Sequence, residues 1–347
     1  MSDRTHRLTK LALTGTFLLG SFPQARAIDF LDELPSRHRL NGSATVDAFG
    51  DAGGVAEQST VVLIHDEIAV ALAAAVDEQG HLVTKASEIE GMAEGDLLAA
   101  TPDGSEVAVK RIAIDPATDI ALLKIEPGKT DPVSWGDSGA LEQGSWVAAM
   151  GADAAQLMIG VISATRRQIE RRPGVLGVNL DTNDDPDELG VAIDAFGPNS
   201  PAQKEGLLEG DLIVRVEDTE IKSRKHLAEE IRKFDPLDPV RIKVLRGEEG
   251  IPYVVTLNYM SNVFDMLDRN QRMSGRTSKR KAGFSDALQH EIPLSPKAMG
   301  GPLVNLDGTT VGINIARADR VTTFALPAEL VKEVVERLLA GAAERVN

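Results

Sequence analysis

The chain has 347 residues, 42% of them apolar, which is enough for about two domains with ordinary cores. A formal net charge of −16 and an aromatic content of only 4% argue against a nucleic-acid binder. There is no cysteine, so neither disulfides nor thiol chemistry contributes.

Residues 1–27 read as a secretory signal. Arg4, Arg7 and Lys10 precede the apolar run LALTGTFLLG, and Ala25-Arg26-Ala27 has the A-x-A cleavage form. Cleavage after Ala27 would place the mature protein in the periplasm or outside the cell. The run is shorter than the ~20 residues a membrane span takes. In residues 28–172, short strands split by turns extend from Ser59 to Arg167, with Asp-Glu-Gln-Gly (77–80) and Pro-Asp-Gly (102–104) as punctuation. No helix of note is expected between Ser59 and Arg167. This pattern predicts a β-barrel or sandwich.

Residues 173–262 differ. The strands LGVNL and GVAIDAF are followed by a helix start at Ser200-Pro201, with serine as cap and proline at the first helical position. Ser223 caps a second helix, predicted to run to Phe234, with Leu227, Ile231 and Phe234 at helical spacing. Two further strands close a compact β/α module as a hairpin. Residues 263–283 contain the run RNQRMSGRTSKRK (269–281), which has six positive residues and no acid. It reads as a solvated basic linker, as do Arg166, Arg167, Arg171 and Arg172 ahead of the module; an anionic partner is the alternative. Strands return in 284–347, and the chain ends in a helix from about Ala328 with one apolar stripe. An all-β pattern is thus interrupted by a β/α module and then resumes.

Four segments carry a family resemblance: DEQGHLVTKASEI, DPATDIALLKIE, GSWVAAMGADAAQLMIGVISATRR, and ALQHEIPLSPKAMGGPLVNLDGTTVGINIA followed by FALPAELVKEVVERLL. In this order they resemble the HtrA/DegP trypsin-like serine proteases, and the middle module resembles their PDZ domain. The resemblance implies a mainly β fold, a trypsin-like double β-barrel split by an inserted PDZ domain, with a C-terminal helix. It also implies a catalytic triad, which needs a hydroxyl nucleophile, an imidazole base and an orienting carboxylate. Carried across position by position, Asp119 is the retained carboxylate, Ser87 stands at the histidine position and Met299 at the serine position. A thioether has no proton to lose, and Ser87 is no base near neutral pH. Lys297 holds the oxyanion-loop position, where glycine would let the loop turn its N–H groups outward. Lys85 with Ser87 is a conceivable Ser–Lys dyad without further support. His38, His65, His81, His226 and His290 read as surface or core residues. No histidine pair has metal-ligand spacing, and no cofactor is indicated.

The resemblance further implies that GVLGV, Gly174, Val175, Leu176, Gly177 and Val178, is a loop that receives a peptide carboxylate on backbone N–H groups, with Leu227 and Ile231 on the facing helix wall. The expectation is an exported pseudoprotease that binds peptide C-termini or unfolded chains, as a homo-oligomer or beside an active protease. Two alternatives stay open: an active serine endopeptidase with relocated catalytic residues, and a structural subunit of a larger envelope complex.

Overall fold

A computed structural model of the protein describes residues 37, 42–93, 95–181, 190–264 and 275–344. The signal-like segment 1–27 and the start of the basic run, with Arg269 and Arg272, lie outside the described residues. Two helices come first, α1 (Ser43–Ala48) and α2 (Gly50–Gln58). Seven strands follow: β1 (Thr60–His65), β2 (Ile68–Ala75), β3 (His81–Lys85), β4 (Leu97–Ala100), β5 (Glu106–Ala108), β6 (Lys110–Asp115) and β7 (Ile120–Lys124). They form one antiparallel sheet in the order β5-β4-β1-β2-β3-β7-β6. The sheet's two edges, β5 and β6, are separated by Val109 alone, so the sheet must curl on itself. Its strands read as nearly continuous apolar runs because both faces are covered. Leu63, Ala73, Leu82 and Leu123 fill the inside, whereas Leu72, Val83 and Leu122 face the second unit.

The second unit is a closed barrel. Strands β8 (Trp146–Met150) and β9 (Leu157–Ile169) are hydrogen-bonded neighbours. Its other four strands come from the far end of the chain: β16 (Phe284–His290), β17 (Pro302–Val304), β18 (Thr310–Arg317) and β19 (Thr323–Pro327), closing in the order β16-β19-β18-β17-β8-β9. Between β9 and β16 in sequence lies a third unit, containing β10 (Val178–Leu180), β11 (Val191–Phe196), β12 (Leu212–Val216), β13 (Thr219–Glu220), β14 (Pro239–Arg246) and β15 (Glu249–Thr256). Its sheet order is β10-β11-β12-β14-β15, with β13 off the path on β12. Helices α3 (Pro201–Lys204) and α4 (Arg224–Ile231) carry the serine caps read from the sequence: Ser200 accepts from the Gln203 N–H and Ser223 from the His226 N–H. A short α5 (Met260–Val263) ends the unit. The terminal helix α6 (Ala328–Glu344) lays Val331, Val334 and Val335 across β18, β19, β6 and β7, and so joins the two barrel units. The mainly β fold with a C-terminal helix holds.

Two expectations need correction. Helix α4 ends at Ile231 rather than Phe234, because the chain turns there toward Pro236. In the described part of the basic run, 275–281, Gly275, Arg276 and Lys279 are exposed as expected of a solvated linker, but Ser278, Arg280 and Lys281 are packed against the barrel. Ser278 exchanges hydrogen bonds with Arg317, and the Arg280 guanidinium donates to the carbonyls of Pro116, Ala117 and Gly283 while lying over the Phe284 ring. Lys281 is buried, with its ammonium over the Tyr259 ring. This stretch is the return path to the barrel, and carbonyls and rings on either side hold the cations of Arg280 and Lys281, whereas Arg276 and Lys279 are exposed. The earlier cluster is largely spent in the same way: Arg166 pairs with Asp286 and Glu329, Arg167 with Gln289, and Arg171 with Asp235.

Candidate functional site

The positions carried over from the triad fall in two places. Strand β3 runs into a 3-10 turn, Ala86–Glu88, which holds Ser87, while Asp119 stands just ahead of β7 with a left-handed φ of 62°. Aspartate tolerates that conformation better than most residues. The Ala86 N–H donates to the Asp119 carbonyl at 2.8 Å, locking the two strand ends together. The Asp119 carboxylate then accepts from the Ser87 N–H (2.8 Å), the Ser87 hydroxyl (2.8 Å) and the ammonium of Lys85. Lys85 is fully buried and also donates to the Arg280 carbonyl at 3.0 Å. An imidazole bound to this carboxylate would meet an ion pair already formed. Lys85 was visible only as a dyad candidate with Ser87; both residues instead converge on one oxygen of Asp119, Oδ2.

Met299 lies in the loop before β17, and its side chain is fully buried among Leu72, Val147, Ile159 and Leu303. Residues Pro296–Ala298, Lys297 included, form a 3-10 turn, and the Met299 N–H donates back to the Pro296 carbonyl at 3.2 Å. The N–H that would face an oxyanion is therefore consumed inside the turn. The Met299 carbonyl accepts from the Leu72 N–H at 3.0 Å, tying the loop to β2. Gly300 allows this approach: a Cβ there would sit 2.0 Å from the Leu72 carbonyl oxygen.

Among the described residues, no histidine is hydrogen-bonded to Asp119. Asn314 gives its Nδ2 protons to the carbonyls of Gly301 and Pro302, so its Oδ1 must accept from His290 Nε2 (2.8 Å), while Nδ1 accepts the Ile292 N–H. Both ring nitrogens are occupied, and burial pushes the His290 imidazole down to about 4. His81 pairs with Asp77 at the far end of β3, and His226 lies beside Glu230 on α4. Among the described residues, no group of three or more histidines or carboxylates could hold a metal ion, and no helix is long and apolar enough to cross a membrane.

Apart from these positions, a groove of about 630 Å³ lies between edge strand β10 and helix α4. Gly174, Val175, Leu176, Gly177, Val178, Leu227 and Ile231 all line it. The Gly174 and Val175 N–H groups are used on the carbonyls of Phe234 and Asn258. Those of Leu176 and Gly177 have no acceptor among the described residues, while the Leu176 carbonyl is held by Ala202 and Ser200. Gly177 is in the left-handed region (φ 74°), and a Cβ would come within 2.7 Å of Val263. Tyr259, Met260 and Phe264 also line the groove, as do Arg172 and Arg232. The sequence reading missed Tyr259, Met260 and Phe264, because nothing in Tyr-Met-Ser-Asn-Val-Phe marks it as returning to a loop some 80 positions earlier.

Comparison with known proteins matches residues 174–256 to the PDZ domain family and residues 71–197 to the trypsin-like peptidase domain family. The two overlap at 174–197, where β10 and β11 belong by hydrogen bonding to the PDZ sheet. A probable periplasmic serine endoprotease, DegP-like, of Halomonas elongata is 26% identical over 261 residues, covering 52% of this chain and 55% of that protein. The corresponding protein of Chlamydia trachomatis is 34% identical over 95 residues, covering 26% of this chain and 19% of its own. The chain thus spans about half the length of the first relative, and a fifth of the second. The solved HtrA-type protease AlgW with decapeptide aligns over 61% of this chain and 98% of its own, at 16% identity and a TM-score of 0.30.

Proposed function

We propose, for a chain that is HtrA/DegP-like with a trypsin-like domain and a PDZ domain, that it binds peptide C-termini or unfolded chains in its PDZ groove without hydrolysing them. The observation that carries this reading is the pair of N–H groups, Leu176 and Gly177, that have no acceptor among the described residues, at the end of an apolar groove beside an edge strand. Unpaired backbone donors in a turn attract a carboxylate, and an edge strand takes an extended peptide as a further strand. Against hydrolysis stand the missing hydroxyl and buried position of Met299, the inward N–H of its loop and the occupied carboxylate of Asp119. A relocated hydrolase would need Lys85 to take the Ser87 proton, but an ammonium paired with Asp119 has no free lone pair. Export to the periplasm or beyond rests on the 1–27 pattern and on the similarity to probable periplasmic endoproteases. The same reading has the protein work as a homo-oligomer or beside an active protease.

The test uses the purified chain starting at Ile28 and one apolar-ended peptide made both as free acid and as amide. Calorimetry should show the acid binding more tightly by about 1.5–3 kcal/mol, the scale of a charge-assisted hydrogen bond. Equal affinities would remove the carboxylate role of GVLGV. Labelling of any serine by a fluorophosphonate, or cleavage of casein, would overturn the non-hydrolytic part.

A further inference from the structure

A second cleft, of about 550 Å³, lies between the first residues of β2 and the turn at Lys297. Four cations line it, Arg276, Lys279, Lys297 and Arg317, against one carboxylate, Glu88. In a chain with 53 acidic and 37 basic side chains, cations elsewhere find carboxylates readily: Arg171 with Asp235, Arg215 with Glu220, Arg241 with Glu217, Arg246 with Asp211. The charged ends of Arg276, Lys279 and Lys297 have no hydrogen-bond or ion-pair partner among the described residues. Glu88, half-buried, accepts the Lys279 backbone N–H at 3.3 Å and leaves three cations facing one carboxylate. The other wall of the cleft is a strand edge. Strand β2 pairs with β1 from Ile68 onward but with β3 only through Ala73, Ala74 and Ala75, so Ile68 to Ala71 have no strand neighbour on that side.

We propose that this cleft is a binding site for extended acidic peptide segments, separate from the PDZ groove. The first residues of β2, Ile68 to Val70, which line the cleft ahead of the point where the Met299 loop takes the Leu72 N–H, offer backbone pairing, and the three cations meet carboxylates on the incoming strand. An internal segment suffices, because no carboxyl terminus is required.

Fluorescence anisotropy of the mature chain tests this with an amidated peptide of alternating Glu and Thr, and its Gln and Thr counterpart as control. Amidation removes the feature the PDZ groove is proposed to read, so failure here leaves that reading untouched, and Gly177→Ala should not alter the signal. The Glu peptide should bind and the Gln peptide should not. Binding should weaken with salt, because exposed charges are screened. The combined variant Arg276→Gln, Lys279→Gln, Lys297→Gln should reduce affinity by about tenfold or more, the sum of several surface charge contacts. All three side chains lie at the surface, and an unchanged melting temperature verifies the fold. Equal binding of the two peptides, or an unchanged affinity in the variant, would overturn the proposal. So would binding to phosphatidylglycerol vesicles or polyphosphate without binding to the Glu peptide, which would make the cleft a phosphate site.

Discussion

The Asp119 centre and the groove beside β10 are built from similar material, a turn at a strand end with its backbone N–H groups near a cleft, and they end in opposite states. At Asp119 each donor and acceptor has been claimed from within: Lys85 and Ser87 occupy the carboxylate, and the nearby loop spends the Met299 N–H on Pro296. At GVLGV a left-handed glycine holds the turn open, and two donors remain without an acceptor among the described residues. Buried polar groups must be satisfied, either by the protein or by something that arrives. A centre satisfied from within gains stability and loses reactivity; a turn left unsatisfied keeps its capacity to bind.

That contrast can be broken by taking away what fills the closed centre. Asp119→Ala leaves the Lys85 ammonium buried without its counter-charge and should cost about 3–5 kcal/mol in denaturant unfolding, whereas Asp119→Leu with Lys85→Met should recover most of the loss. If Asp119→Ala is as stable as the parent, the pair does not hold the centre together. Met299→Ser removes most of a buried side chain and buries a hydroxyl, for about 3 kcal/mol of destabilisation, and should give no casein cleavage. Adding Ser87→His and Lys297→Gly should restore little, because a new imidazole must compete with Lys85 for Asp119. Proteolysis appearing in Met299→Ser alone would refute the closed-centre reading.

Acid provides a third probe. His290 has its pKa depressed from 6.5 to about 4 by burial, so the unfolded chain binds a proton more readily than the native one between those values. Its contribution is fully present above pH 6.5 and is lost as the pH falls through 4, about 3 kcal/mol in all. His290→Gln should flatten that part of the stability–pH curve; an unaltered curve would mean that His290 does not carry it. The smallest effect belongs to the open site. Gly177→Ala meets Val263 and Ser200 and holds a Cβ at positive φ, which should cost about 1–2 kcal/mol and weaken free-acid peptide binding. Undiminished binding would mean the turn is not the receptor for the carboxylate.

Much of this was legible before the structure. Strand runs, the two serine caps and the terminal helix follow from periodicity and local hydrogen bonding, which short stretches encode by themselves. The meeting of Ser87 with Asp119 came from resemblance, and the pairing of β3 with β7 gives it a physical basis. Lys85 shows what a single chain hides. A lysine at the end of HLVTK looks like a surface residue, and only its register opposite Ile120 brings the neighbouring Asp119 within reach. Helices α1 and α2 were equally hidden. Gly50, Gly53 and Gly54 give this stretch poor helix propensity, and it is held by Phe49, Ala52 and Ala56 packing on the second barrel. Gly53 even serves that packing, since its Cα side comes close enough that a Cβ would lie 3.0 Å from Leu157.

The pairing of β9 with β16 has a consequence in time as well as in space. Arg166 and Asp286 meet across 120 positions, and every residue of the PDZ sheet is made between them. On a ribosome, β8 and β9 emerge with two open sides and must wait, their apolar faces exposed, while a whole second core is synthesised. A PDZ unit that folds during that interval brings its two ends side by side and shortens the loop that the barrel must close. Slow or faulty folding of the insert would therefore appear first as aggregation of the barrel, at strands that never touch the fault.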